Sequence, residues 1–227
     1  MSQESVVIAG GKVQISSFGL ISEAWQIFKN NWTQILGFFI VVGLVQIVYQ
    51  AADQLMVEWD ESGLMFMAFN IASMFFDAFI TAGTVFVTLK IVRGQQFAVK
   101  ELFSQSGLIF KYFFGTLLYG LLVILGLVLL IIPGIYWSLK YWPVTYLLVD
   151  KKMGIKEAFG VAGRMTQGTK WKTIVFGLVC VGVAILGLLA LVVGLLAAVP
   201  VISIAFALLY VKLLPRVEQK AQAVAKA

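Results

Sequence analysis

Polar residues fall into a few short blocks along this chain, separated by long apolar runs. Six runs approach the length of a membrane crossing: Thr33–Ala52, Leu64–Leu89, Leu108–Ile132, Ile135–Val149, Thr173–Val199 and Ile202–Leu214. A helix needs about 20 apolar residues to cross a hydrocarbon core about 30 Å thick. The fourth and sixth runs are short, and cross only with little tilt or with local thinning of the bilayer.

Three further segments mix an acid with apolar and aromatic residues just before a hairpin of apolar runs. They contain Glu23-Ala24-Trp25, Glu101-Leu102-Phe103 and Glu157-Ala158-Phe159, and lead to Trp32, Lys111-Tyr112 and Lys170-Trp171. In the first, Phe18, Ile21, Trp25 and Phe28 share one helical face, and Ser16 or Ser17 is placed to cap it. Such helices lie in the interface with the apolar side down, anchored by Trp and Lys at the headgroups. The pattern predicts an all-α integral membrane protein: six transmembrane helices as three hairpins, each preceded by an interfacial amphipathic helix. Residues 1–227 read as one membrane domain, with a short N-terminal arm (1–15) and a short C-terminal tail (216–227).

Composition agrees. Hydrophobic residues make up 61% of the 227, charged residues only 12%, and the mean hydropathy is +0.96. A soluble domain carries roughly 25% charged residues to cover its surface; a lipid-facing one does not need them. The first long apolar run starts near Ile35 behind Glu4 and Glu23 without a basic cluster, so no cleaved signal peptide is expected.

Charge gives the orientation. Sixteen of the seventeen Lys and Arg lie before the first run, near 90–111, near 151–172, or from Lys212 on, together with six acids. The Asp53–Gly63 loop holds four acids (Asp53, Glu58, Asp60, Glu61) and no base. The turns near Pro133-Gly134 and Pro200 are uncharged. By the positive-inside rule the basic blocks, and both termini, are cytoplasmic. A re-entrant hairpin would give the same bias, but the third and fifth runs are long enough to cross, which favours six spans.

Two charges remain inside the runs, Asp77 and Lys140. A charge at mid-bilayer costs about 2.5–3.5 kcal/mol on insertion scales and calls for a partner or a wet cavity. Counted from Lys90 and Asp150, the two differ in depth by roughly 4–5 Å at about 1.5 Å per residue, within reach of a lysine. Asn70, Ser73, Asp77, Thr81, Thr84 and Thr88 form one stripe at spacings of three and four. It should face the bundle interior. Two readings fit it: hydrogen-bonding glue between helices, or the lining of a polar path for a proton or small solute.

In the fourth run, Pro143 should kink the helix. Four aromatics flank Lys140, able to pack at the kink and hold the ammonium by cation–π contact, or to build a ligand pocket. The pairs Ala78/Ala82 and Ala190/Gly194 permit close helix approach. Lys151, Lys152, Lys156, Arg164, Lys170 and Lys172 are candidate contacts to anionic headgroups. Spread around interfacial helices, they do not suit nucleic acid.

Catalysis finds little material. There is no His and one Cys, so His-based triads and the common zinc sets cannot be assembled. One membrane aspartate does not make an aspartic-protease pair, and Ser138 and Lys140, two apart on a helix, point away from each other. Glu58-Trp59-Asp60-Glu61 could hold a cation, though a short acidic turn is ordinarily a solvated turn. We expect no enzyme activity and no cofactor.

The stretch Ile132–Trp171 resembles a group of bacterial membrane proteins that includes the YciC-like family and the membrane domain attached to some glycerophosphodiester phosphodiesterases. The matching residues are Pro133-Gly134-Ile135-Tyr136, Lys140, Pro143, Val149-Asp150, Gly154, Glu157-Ala158, Thr166, Gly168 and Trp171. Where the group often has Ser-Trp in the amphipathic helix, this chain has Ala162-Gly163. The resemblance implies a six-helix protein of the bacterial inner membrane and no particular activity; the phosphodiesterase domain is absent. The expected function is non-enzymatic organisation of protein partners or anionic lipids at the cytoplasmic leaflet. The expected partners are membrane lipids, with a membrane protein or a second copy as further candidates. The alternative is a small transporter or proton-coupled carrier working through Asp77 and Lys140.

Overall fold

A computed structural model describes residues 6–9, 12–59 and 63–225. It is almost wholly helical. In order come β1 (Val6–Ala9), β2 (Lys12–Ile15), α1 (Ser17–Asn30), α2 (Trp32–Trp59) and α3 (Leu64–Val92). A 3-10 helix (Val99–Leu108) leads to α4 (Ile109–Leu129), α5 (Ile131–Tyr141), α6 (Val144–Asp150), α7 (Ile155–Met165), α8 (Lys170–Leu189) and α9 (Leu191–Ala225). Among the described residues, five stretches are long and apolar enough to cross a membrane: Trp32–Leu55, Met67–Val92, Val99–Leu129, Trp171–Leu189 and Gly194–Glu218.

The fourth predicted run is not one of them. It divides into α5 and α6 at Trp142-Pro143. Proline has no N–H to continue the ladder, and Leu147 restarts it by donating to the Pro143 carbonyl at 2.9 Å. The aromatics pack at this break, as expected: Trp142 lies 5.7 Å from both Tyr146 and Phe206, and Tyr146 stacks on Tyr210 at 5.1 Å.

The last two runs are partitioned differently from the expectation. The α8–α9 turn falls at Ala190, and Pro200 sits inside α9. A proline within a membrane helix is tolerated where its surroundings re-satisfy the freed backbone groups. Hence the sixth run is not short; it belongs to a 35-residue helix that continues through the tail expected from 216. The close approach involves the expected Gly194 together with Gly187: a Cβ on Gly194 would meet the Gly187 carbonyl oxygen and stand 2.7 Å from Ala190 Cβ, and one on Gly187 would stand 2.8 Å from Ala198 Cβ. Ala78 and Ala82 are both buried.

The arm is not structureless either. β1 and β2 pair antiparallel, Val6 opposite Ile15 and Ala9 opposite Lys12. Val6, Val7, Ile8, Val13 and Ile15 are β-branched and favour extended backbone. Residues 1–5, 10–11 and 226–227 of the arm and tail, and Asp60 and Glu61 of the acidic loop, lie outside the described residues.

The core gathers at the basic end. Leu20 and Ala24 of α1, Leu147 and Leu148 of α6, Ala158 and Met165 of α7, and Ile204, Leu208 and Tyr210 of α9 are all buried there. At the other end Ile47, Val48, Val128, Leu129, Leu188 and Leu189 are exposed, as suits helices solvated by lipid. Ser16 Oγ accepts from Gly19 N–H at 3.1 Å, so Ser16 is the cap of α1. The face of α1 turned to the core is Leu20, Ala24 and Phe28, while Phe18 and Trp25, on the face expected to lie against lipid, are exposed.

Candidate functional site

Asp77 and Lys140 do not meet. Asp77 Oδ1 accepts from the Gln46 amide of α2 at 2.9 Å. The Lys140 ammonium lies over the Tyr141 ring, 4.8 Å from its centroid, which is the expected cation–π contact. No ion pair among the described residues joins the two. The depth count assumed an unbroken helix from Asp150 back to Lys140. The break at Trp142-Pro143 instead carries Lys140 to α7: Thr166 Oγ1 donates to the Lys140 carbonyl at 3.0 Å, and Lys140 Cε lies 3.3 Å from where a Cβ of Gly163 would stand.

The α3 stripe has several fates. The hydroxyls of Ser73, Thr84 and Thr88 donate to carbonyls of their own helix, Phe69, Ile80 and Thr84, at 2.7–2.8 Å. That is the structural use of such residues. Thr88 is buried and Asn70, Ser73 and Thr84 are half-buried, but Asp77 and Thr81 are exposed, so the stripe does not face the interior throughout.

Opposite the Asn70–Asp77 half of the stripe a second one runs along α2. Gln46, Tyr49 and Asp53 recur at spacings of three and four along α2. The Gln46–Asp77 bond sets the antiparallel register, and seven residues further on in each helix stand Asp53 and Asn70. Tyr49 stacks against Phe76 at 5.1 Å between those levels. The Tyr49 hydroxyl and Asp53 Oδ1 are buried without a hydrogen-bond partner among the described residues. The spacing is present in the sequence, but the apolar run ends at Ala52 and places Asp53 in the loop that follows. α2 continues to Trp59.

On its other flank Asp77 opens into a groove of ≈ 370 Å³ between α3 and α4, lined by Met74, Asp77, Ala78, Thr81, Tyr112, Phe113, Thr116, Leu117, Gly120, Leu121 and Ile124. Thr116 is satisfied on its own helix, donating to the Tyr112 carbonyl at 2.8 Å. Asp77 is the one charged side chain lining this cleft, beside the hydroxyl-bearing Thr81, Tyr112 and Thr116 and otherwise apolar walls. No group of three or more metal-ligating side chains converges among the described residues.

A second arrangement occupies the basic end. Lys90 of α3 pairs with Glu101 of the 3-10 helix at 2.7 Å. Arg93, just past α3, holds Asp150 through two bonds of 2.6 and 2.7 Å, and Tyr210 of α9 donates to the same carboxylate at 3.0 Å. The hydrogen bond it donates to Asp150 holds Arg93 above the ordinary guanidinium range, so that cation stays charged. Lys151 pairs with Glu218 at 2.7 Å, and Lys212 with Glu23 at 2.6 Å. These four pairs tie α1, α3, the 3-10 helix, α6 and α9 into a collar.

Residues 116–217 match a family described as protein of unknown function, DUF975. The match runs from α4 into α9, just under half the chain, and contains the whole Ile132–Trp171 stretch. No curated protein and no solved structure matches the chain. Lys140, Pro143 and Asp150 thus lie in the family segment, whereas Gln46, Asp53 and Asp77 lie outside it.

Of the six candidate headgroup contacts, Lys151 is engaged by Glu218. Lys152, Lys156 and Arg164 are exposed around α7. Lys172 is half-buried and has an interaction of its own. The Lys170 side chain is outside the described set. Buried Ala158, Val161, Ala162 and Met165 make α7 amphipathic, with its charges on the outer side.

Proposed function

We propose that this is a non-enzymatic polytopic protein of the bacterial inner membrane, related to the YciC-like group, that gathers anionic lipids and protein partners at the cytoplasmic leaflet. The chain would cross six times, the broken α5–α6 segment supplying the fourth traverse, with both termini cytoplasmic. The bond from Arg93 to Asp150 supports this path, since it brings the end of α6 back to the end of α3.

The observation that carries the lipid reading is how charge is distributed at the collar. Glu23, Glu101, Asp150 and Glu218 are each occupied by a cation. Exposed Lys152, Lys156 and Arg164 are left to act on whatever lies outside. Each cation near an anionic surface contributes about 1 kcal/mol. Trp32 and Trp171, at the starts of α2 and α8, are 55% and 75% exposed, and exposed indole rings favour the headgroup region.

The test is native mass spectrometry of the full chain from membranes containing phosphatidylglycerol and cardiolipin. The triple change Lys152→Glu, Lys156→Glu and Arg164→Glu should lower retained anionic lipid at least fivefold while leaving thermal stability unchanged. Equal retention would remove the lipid reading. Carrier function through an Asp77–Lys140 pair has lost its geometric support.

A further inference from the structure

The groove between α3 and α4 combines three features that the collar does not explain. Asp77 stands near the middle of the Met67–Val92 span, where water is scarce. Its one hydrogen bond comes from a neutral amide, Gln46, and no cation pairs with it among the described residues. The carboxylate is exposed rather than covered, and the α4 wall beside it (Leu117, Leu121, Ile124) is exposed as well. The cleft therefore opens sideways, towards hydrocarbon.

We propose that this groove binds hydrophobic organic cations, amines or onium ions with apolar substituents, which enter from the bilayer and take Asp77 as their counter-charge. Charge complementarity selects the sign: a desolvated carboxylate favours an opposite charge and repels anionic lipid. Access selects the class. An inorganic cation would exchange its hydration for a single carboxylate, whereas apolar substituents carry an organic cation through lipid and pack against the walls. The volume of ≈ 370 Å³ falls within the range of small-molecule sites. Phe113, stacked on Phe75 at 4.1 Å, offers a fixed aromatic surface for cation–π contact.

The probe is radiolabelled tetraphenylphosphonium, titrated onto the full chain in nanodiscs, with empty nanodiscs as background. Saturable binding at one site per chain is expected, weakened tenfold or more by Asp77→Asn, which keeps an acceptor for Gln46 and removes the charge. Gly120→Leu supplies an independent arm: a Cβ there meets nothing within 4 Å, so the helix tolerates it while the side chain fills the groove. It too should weaken binding tenfold, and it decides alone if Asp77→Asn fails to fold. A neutral tetraphenyl analogue should not compete. Binding no greater than to empty nanodiscs, binding unchanged in Asp77→Asn and Gly120→Leu, or equal competition by the neutral analogue would each overturn the proposal.

Discussion

Replacing Asp150 by alanine is expected to destabilise the protein by about 3 kcal/mol, at the lower end of the range for breaking a buried pair. Asp150 is 8% exposed and accepts three bonds, two from Arg93 and one from Tyr210. Removing it strands a guanidinium and a phenol at the junction of α3, α6 and α9. Arg93 is 33% exposed and can turn towards water, which is why the lower figure applies. Asp150→Asn keeps an acceptor for Tyr210 and should cost less, about 1–2 kcal/mol. Thermal unfolding in detergent measures both, with Asp150→Ala lowering the midpoint by roughly 6–12 °C for a chain of this size. A loss below about 2 °C would mean the junction is held by apolar packing alone.

Gly126→Leu should also destabilise the protein, and for a steric reason. Gly126 of α4 faces Gly134 of α5 so closely that a Cβ on it would stand 2.7 Å from Gly134 Cα and 2.8 Å from both Gly134 N and the Trp137 ring. Backbone atoms cannot rotate aside as a side chain does, so the α4–α5 hairpin must open. Overpacking of this kind costs about 1–3 kcal/mol and occasionally more, and the displaced α5 carries Pro143 and α6 with it. Gly177→Ala provides the contrast. It lies in α8 with nothing within 4 Å of the new methyl, and helix propensity alone predicts a gain of up to ~1 kcal/mol. Opposite shifts in melting temperature are expected; a stable Gly126→Leu would show that α4 and α5 are not in backbone contact.

Both predictions rest on features invisible in the linear pattern. Gly126 belongs to a Gly-Leu-Val-Leu-Leu run that reads as any apolar helix, and nothing marks it as the crossing point. Asp150 and Arg93 stand 57 positions apart, and each looked like an ordinary end-of-helix charge. The elements themselves were far more legible. The cap of α1 was legible as Ser16 or Ser17 because capping depends on local spacing, and the structure selects Ser16. Pro143 was recognisable as a break because proline lacks the same N–H in every context. Pro200 misled for that very reason: it was treated as a turn, although a membrane helix can absorb a proline whose neighbours re-satisfy the backbone. The β1–β2 ribbon left no comparable signal, because its two strands are only four residues each.

What the sequence determined by itself is that the chain is built of membrane-length helices and which helix ends carry the basic residues. Hydrophobicity and charge act residue by residue, and a helical rise of about 1.5 Å converts a run length directly into a thickness. What only the tertiary structure decided is which polar groups meet. Asp77 found Gln46 across α2 rather than Lys140, because rotation about the helix axis and the break at Pro143 move a side chain farther than any difference in depth. The unpaired charge of the α3–α4 groove is a product of that arrangement, and so is the collar that occupies four acids and leaves the cations around α7 exposed.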